Sequence, residues 1–217
     1  MKDSDTYNYL YQIEQMKIPM IKEELAPYLV HKMQGDFTIE DYYNLPDDCR
    51  AELIDGIIYD MASPTFIHQG ICLELCRYLG NYVATNKGKC KIFSAPSDVQ
   101  LDCDNRTMVQ PDVFIICDRN KLNKKVLYGA PDLAVEIISP STRKKDIITK
   151  THKYRNAGVL EYWIVDPMKK QVRVYEFEKD NSTALYTFDD KVPVGIWGGE
   201  CMVDFKEIYD YIKFLED

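Results

Sequence analysis

The chain has 217 residues, 46% of them hydrophobic and 29% charged, with a formal net charge of −8 at pH 7. That length is enough for one domain with a real core, and the acidic balance argues against nucleic-acid affinity spread over the whole surface. No run of about 18 apolar residues occurs and the N-terminal MKDSDTYNYLYQIEQ is polar and acidic, so neither a membrane span nor secretion is expected, and a cytoplasmic location is.

Charge is unevenly distributed. Residues 1–60 hold thirteen Asp or Glu against five Lys or Arg, whereas 119–155 holds ten Lys or Arg against Asp132, Glu136 and Asp146. A local basic face in an acidic protein suits a phosphate-binding surface, and an ordinary solvated helix and loop account for the same pattern equally well. The seven cysteines are odd in number, with no CxxC pair and no zinc-like Cys/His spacing, so they read as reduced thiols. Cys72 and Cys76 fall on one helix face, which core packing explains better than a shared metal.

In chain order, residues 1–36 are interrupted by Pro19 and Pro27 and read as an N-terminal arm with short helices; residues 37–217 read as the main domain. Thr38 stands three residues ahead of Asp41, a capping box opening a short helix that Pro46 stops. In AELIDGIIYDM two β-rich runs flank Asp55-Gly56, the pair favoured in a two-residue hairpin turn, which places Glu52 in the first strand. From Thr65 to Thr85, Ile71, Leu75, Tyr78, Leu79 and Tyr82 recur at helical spacing.

Four strands are predicted next, KIFSA, SDVQL, VQPDVFIICD and PDLAVEIIS, the last two apolar enough to be central and covered on both faces. Ser141 to Ala157 reads as a second long helix ended by Gly158, and EYWIVD and QVRVYEF form a strand pair. This order predicts an α/β (α+β) fold, a central mixed β-sheet flanked by helices.

Asp112 opens one apolar strand and Glu136 lies inside the next, where a strand pattern does not ordinarily place a charge. A carboxylate buried in a central strand is costly unless paired or holding a cation, so two on adjacent strands suggest a shared Mg²⁺ or Mn²⁺. Each could instead face solvent or pair with a nearby Lys or Arg. Glu52 could complete the cation's shell or be an exposed strand residue. Lys150, with Lys153 and Tyr154 on nearly the same helix face, could orient water or stabilise transition-state charge; Asp146, four residues earlier, allows a plain surface ion pair instead. His68, near a helix start, could donate to a phosphate or be structural. No Ser/His/Asp arrangement, Walker loop or dinucleotide fingerprint is present.

Taken together, AELIDGIIYDM, SPTFIHQ, QPDVFII, APDLAVEIISPSTRKKD and KTHKYRNAGVLEYWIVDP, in this order, resemble the Uma-type restriction endonuclease family, first delimited as a domain of unknown function, within the PD-(D/E)XK nuclease superfamily. The resemblance covers about residues 37–205 and implies a restriction endonuclease-like fold. It assigns Asp112 and Glu136 as metal ligands with the main-chain carbonyl of Ile137, and Glu52 as the upstream acid. The superfamily's lysine two residues after the second acid is absent, position 138 being Ile, and the matching family position is Lys150.

The resulting expectation is a Mg²⁺- or Mn²⁺-dependent endonuclease acting on nucleic acid, with DNA the expected substrate. Two alternatives stand beside it: a nucleic-acid-binding or regulatory module that keeps the nuclease fold without turnover, and a hydrolase of small phosphorylated substrates. A homodimer is one expected assembly, because many double-strand cutters need two active sites and the Tyr-rich arm could exchange between subunits.

Overall fold

The computed structural model describes residues 32–46, 49–86, 88–139, 145–179 and 182–216. Residues 1–31 of the expected N-terminal arm, and the expected helix start at Ser141, lie outside them.

Helix α1 (Ile39–Tyr43) begins at Thr38 with the expected reciprocal capping box to Asp41. Strands β1 (Ala51–Ile54) and β2 (Ile57–Asp60) pair antiparallel. Both central residues of their turn have positive φ, 53° at Asp55 and 80° at Gly56, which is why an Asp-Gly pair is needed there. Helix α2 (Phe66–Thr85) starts at Thr65, whose hydroxyl accepts from the His68 amide.

There follow β3 (Lys91–Ser94), β4 (Asp98–Gln100), β5 (Val113–Ile116), β6 (Val126–Tyr128) and β7 (Leu133–Ile137). A π-helical turn, Lys145–Lys150, runs directly into α3 (Thr151–Ala157), which Gly158 ends at φ 89°. Then come β8 (Glu161–Asp166), β9 (Gln171–Glu176), β10 (Ser182–Thr187), β11 (Lys191–Pro193), β12 (Met202–Asp204) and α4 (Phe205–Ile212).

The central sheet has six strands in the order β10-β9-β8-β7-β5-β3. Only β7 and β8 are parallel, joined through α3, so the sheet is mixed and flanked by helices, as the order of elements predicts.

Strand alternation distributes the apolar residues between two cores. Leu133, Val135 and Ile137 pack with Val113, Ile115, Trp163 and Val165 against Leu75 and Leu79 of α2 and Phe205 and Ile208 of α4. Ala134 and Ile138 pack with Phe114, Ile116, Tyr162 and Ile164 against Tyr154 of α3 and Val99 and Leu127. Glu136, by the same alternation, shares the second face with α3. A smaller cluster of Phe37, Ala51, Leu53, Ile58 and Met108 supports the hairpin.

The expectation of seven reduced thiols is corrected. Cys90 and Cys117 form a disulfide, one residue beyond the paired ends Lys91 and Ile116 of β3 and β5. Strand register made these two residues opposite, and register is not visible in their spacing of 27. Cys72 is buried in the core as expected, and among the described residues no group of His, Cys, Asp and Glu forms a ready three-ligand metal cluster.

Candidate active site

Continuing the β5–β7 register one step past Val113 and Val135 sets Asp112 opposite Glu136. Asp112 Oδ2 accepts the Ile137 amide at 2.7 Å, which ties the two strands together at their ends. Both side chains are largely buried, Asp112 at 9% and Glu136 at 4% exposure.

Glu52 reaches the same place from β1 and is fully buried. Its Oε1 accepts from the Gln110 amide at 3.0 Å and lies 2.8 Å from Lys150 Nζ, while its Oε2 accepts from Lys145 Nζ at 2.7 Å. Glu52 therefore has both oxygens committed to cations and an amide.

Lys150 closes the π turn and points inward. Its Nζ donates to Glu136 Oε1 at 2.8 Å, lies 2.8 Å from Glu52 Oε1 and 3.6 Å from Asp146 Oδ1. The Asp146 ion pair foreseen from spacing exists, but inside the protein rather than on a helix surface: Asp146 is 3% and Lys150 2% exposed. One turn on, Tyr154 donates its hydroxyl to the same Glu136 Oε1 at 2.7 Å. Lys153 diverges and pairs with Asp55 at 2.7 Å and with Asp102.

Protonation follows from these contacts. Burial pushes the Glu52 carboxyl up, but Lys145, Lys150 and the Gln110 amide outweigh it and hold the group down at about 2. Glu136 goes the other way: burial, together with the nearby Asp146, Asp112 and Glu52 carboxylates, outweighs Lys150 and raises it well above 4.5. For Lys150 burial favours the neutral amine, yet Glu136, Glu52 and Asp146 overcome it and keep the ammonium. A second positive charge beside Glu136 would lower its pKa and favour the carboxylate.

His68 Nε2 lies 3.2 Å from Asp112 Oδ2, so the first turn of α2 also meets the site. Its Nδ1 is buried with no hydrogen-bond partner among the described residues. The four acids and bases foreseen, Glu52, Asp112, Glu136 and Lys150, line one cleft with His68, a cavity of about 540 Å³ that also includes Ile137, Arg50, Lys145 and Asp146.

Sequence reasoning did not foresee the contacts of Lys145, Tyr154 and Gln110. Tyr154 carried a signal, its place four residues after Lys150 on one helix face; Lys145 was part of the basic run; Gln110 carried none, because it acts through its main-chain amide. Among the described residues of the basic run 119–155, Lys145, Lys150 and Lys153 are consumed by carboxylates, Lys121 donates to the Ala130 carbonyl, and Arg155 lies over the Phe177 ring.

The donor set suits a divalent cation. Among the described residues Asp112 Oδ1 and Glu136 Oε2 make no hydrogen bond or ion pair, whereas the other oxygen of each is engaged. Two hard carboxylate oxygens at the wall of an open cleft, with no group of three His, Cys, Asp or Glu placed to hold a metal among the described residues, match the preference of Mg²⁺ for one or two carboxylates completed by water and phosphate.

The family described as "Putative restriction endonuclease", Uma2, matches residues 39–194, well over half of the chain. The chain belongs to the Uma2 family. Its similarity extends to a Synechocystis sp. protein described as uncharacterized, slr1290, at 25% identity over 140 residues, covering 64% of this chain and 72% of that one. The fold matches a crystal structure described as "a putative nuclease belonging to DUF820" from Anabaena variabilis, with a TM-score of 0.68, 21% identity, and coverage of 81% of this chain and 99% of the other. This Uma2 chain thus has the restriction endonuclease-like fold that the sequence resemblance implied, with the cleft at the ends of its central β5 and β7 strands.

Proposed function

We propose that the protein is a Mg²⁺- or Mn²⁺-dependent endonuclease that hydrolyses phosphodiester bonds of DNA. The observation that supports this most is Lys150 on Glu136: an ammonium from the helix after β7 stands at the second acid, 2.8 Å away, where the superfamily's usual lysine is replaced by Ile138.

In this reading Asp112 and Glu136 would hold the cation, with the main-chain carbonyl of Ile137 as a further ligand. Such an ion, when bound, neutralises charge on the phosphate and makes water a better nucleophile. Lys150 keeps a proton on Nζ at the floor of the cleft; two of its three N–H bonds are directed by Glu136 and Glu52, and Asp146 at 3.6 Å is too far to take the third as a hydrogen bond. That third proton is offered to the attacking water or to a phosphate oxygen. Glu52, held ionised, is a positioning residue for Lys150 and Lys145.

A second reading, binding without turnover, draws on the same geometry, because Lys150 already neutralises the buried acids without an added cation. One assay separates the two: nicking and linearisation of supercoiled plasmid with Mg²⁺, Mn²⁺ or EDTA, alongside Asp112→Ala and Glu136→Ala. Metal-dependent cleavage lost in both variants supports the endonuclease; binding of the plasmid without cleavage by folded protein under any cation supports the second reading.

A further inference from the structure

Arg50 stands one residue ahead of β1, and its carbonyl accepts the Met61 amide at 2.9 Å, extending the hairpin ladder by one step. Alternation along a strand puts Arg50 on the same face as Glu52, two residues on and roughly 7 Å away, while Ala51 and Leu53 turn into the small hairpin core. Arg50 therefore lines the cleft together with Glu52, His68 and Lys145.

The cations of this cleft differ in what they hold. Lys150 is bound by Glu136 and Glu52, and Lys145 by Glu52 with the Tyr59 ring 5.2 Å beneath it. Arg50 has no hydrogen-bond or ion-pair partner among the described residues, and its Nε is buried without an acceptor. Lys145 and Lys150 answer the acids, whereas a guanidinium that is half-buried on the same wall answers none of the described residues. Leaving a buried charged donor unsatisfied costs free energy that an arriving acceptor recovers.

We infer that Arg50 binds a backbone phosphate of the substrate strand at the cleft wall, through the planar fork of its Nε and terminal nitrogens. A guanidinium presents parallel N–H bonds that match two phosphate oxygens in one plane, a fork that the ammonium groups of Lys145 and Lys150 do not offer. Two residues from Glu52 on the same strand face, Arg50 addresses the substrate beside the reaction centre, so it is a positioning residue. This assignment rests on the nuclease reading of the cleft.

The test measures binding of the full chain to a fluorescein-labelled DNA duplex by anisotropy, in EDTA so that no cleavage intervenes, from 50 to 200 mM salt, for the wild type, Arg50→Met and Arg50→Lys. One lost phosphate contact to duplex DNA lowers the slope of log affinity against log salt by about 0.9. Arg50→Met is expected to bind about tenfold more weakly at low salt with the slope reduced by that amount, and Arg50→Lys to keep the slope while losing part of the affinity. Both variants are checked for unchanged secondary structure and melting. An unchanged slope in Arg50→Met, with the wild type binding normally, overturns the assignment and leaves the nuclease reading standing. Absence of binding and of plasmid cleavage by the wild type overturns both.

Discussion

Lys150 Nζ lies 2.8 Å from Glu136 Oε1 across the gap between α3 and β7, with both groups almost wholly buried. The pair joins the helix to the strand it follows and closes the floor of the cleft, so the contact that holds these two elements together is also the one at which the proposed chemistry would take place.

Removing the ammonium leaves Glu52, Glu136 and Asp146 without their shared cation. Lys150→Met is expected to destabilise the protein by about 3–5 kcal/mol at neutral pH, the usual result of breaking a buried ion pair from one side. Urea unfolding measures this directly. Added Mg²⁺ should recover part of the loss, since a cation bound only by the folded state stabilises it; a variant as stable as the wild type would place Lys150 outside the acid cluster.

Tyr154 touches Glu136 without facing the substrate. Tyr154→Phe keeps the ring packed on Tyr162, at 4.8 Å between centroids, and removes only the hydroxyl at 2.7 Å. The expected outcome is a loss of about 10–100-fold in metal affinity or cleavage with little change in fold. Titration of Mg²⁺ against cleavage rate reads it, and an unaltered Mg²⁺ dependence would show that Glu136 is oriented without Tyr154.

The hairpin that delivers Glu52 depends on Gly56. A Cβ there would collide with the Gly35 carbonyl oxygen and approach the Gly35 carbonyl carbon at 2.8 Å, at a φ of 80° that L-residues avoid. Gly56→Ala is expected to cost more than about 1–2 kcal/mol, the conformational part alone reaching that size, and to depress cleavage as Glu52 shifts. Thermal melting and the plasmid assay together check it; a neutral substitution would mean that the turn can change type without moving β1.

Asp204 caps α4 by accepting from the Lys206 and Glu207 amides at 3.1 and 3.2 Å, and pairs with Lys191 at 3.1 Å. Burial raises its carboxyl, but Lys191 and the two amides outweigh that and bring it below 3.8. A depressed folded pKa means that the stabilisation is present in full above 3.8 and is lost as pH falls through the lower folded value. Asp204→Ala is expected to cost about 1 kcal/mol at pH 7, with the difference from wild type shrinking in acid; melting curves from pH 7 to 3 test the sign.

Much of the fold was legible because local rules carried it. Asp55-Gly56 announced the hairpin, Thr38 and Asp41 the capped helix, and the apolar runs around Asp112 and Glu136 the two central strands, each through backbone preferences that act over a few residues. Residues beyond Phe177 were less legible: β10 is mostly exposed, β11 and β12 have three residues each, and α4 follows its capping Asp204 directly, so their places depend on the core they cover. The Cys90–Cys117 link was illegible for the same reason, being a consequence of register.

From the sequence alone came the unusual acids, Glu52, Asp112 and Glu136, and a choice for Lys150 between a surface ion pair with Asp146 and a place in the site. Only the tertiary structure decided that choice. Spacing of four residues brings two side chains to one helix face, but says nothing of what that face packs against; strand order, the β5–β7 register and the π turn set Lys150 against Glu136 and Glu52, and burial made their mutual neutralisation compulsory. The same packing consumed Lys145 and left Arg50 without a partner among the described residues, a distinction between cations that composition and spacing do not contain.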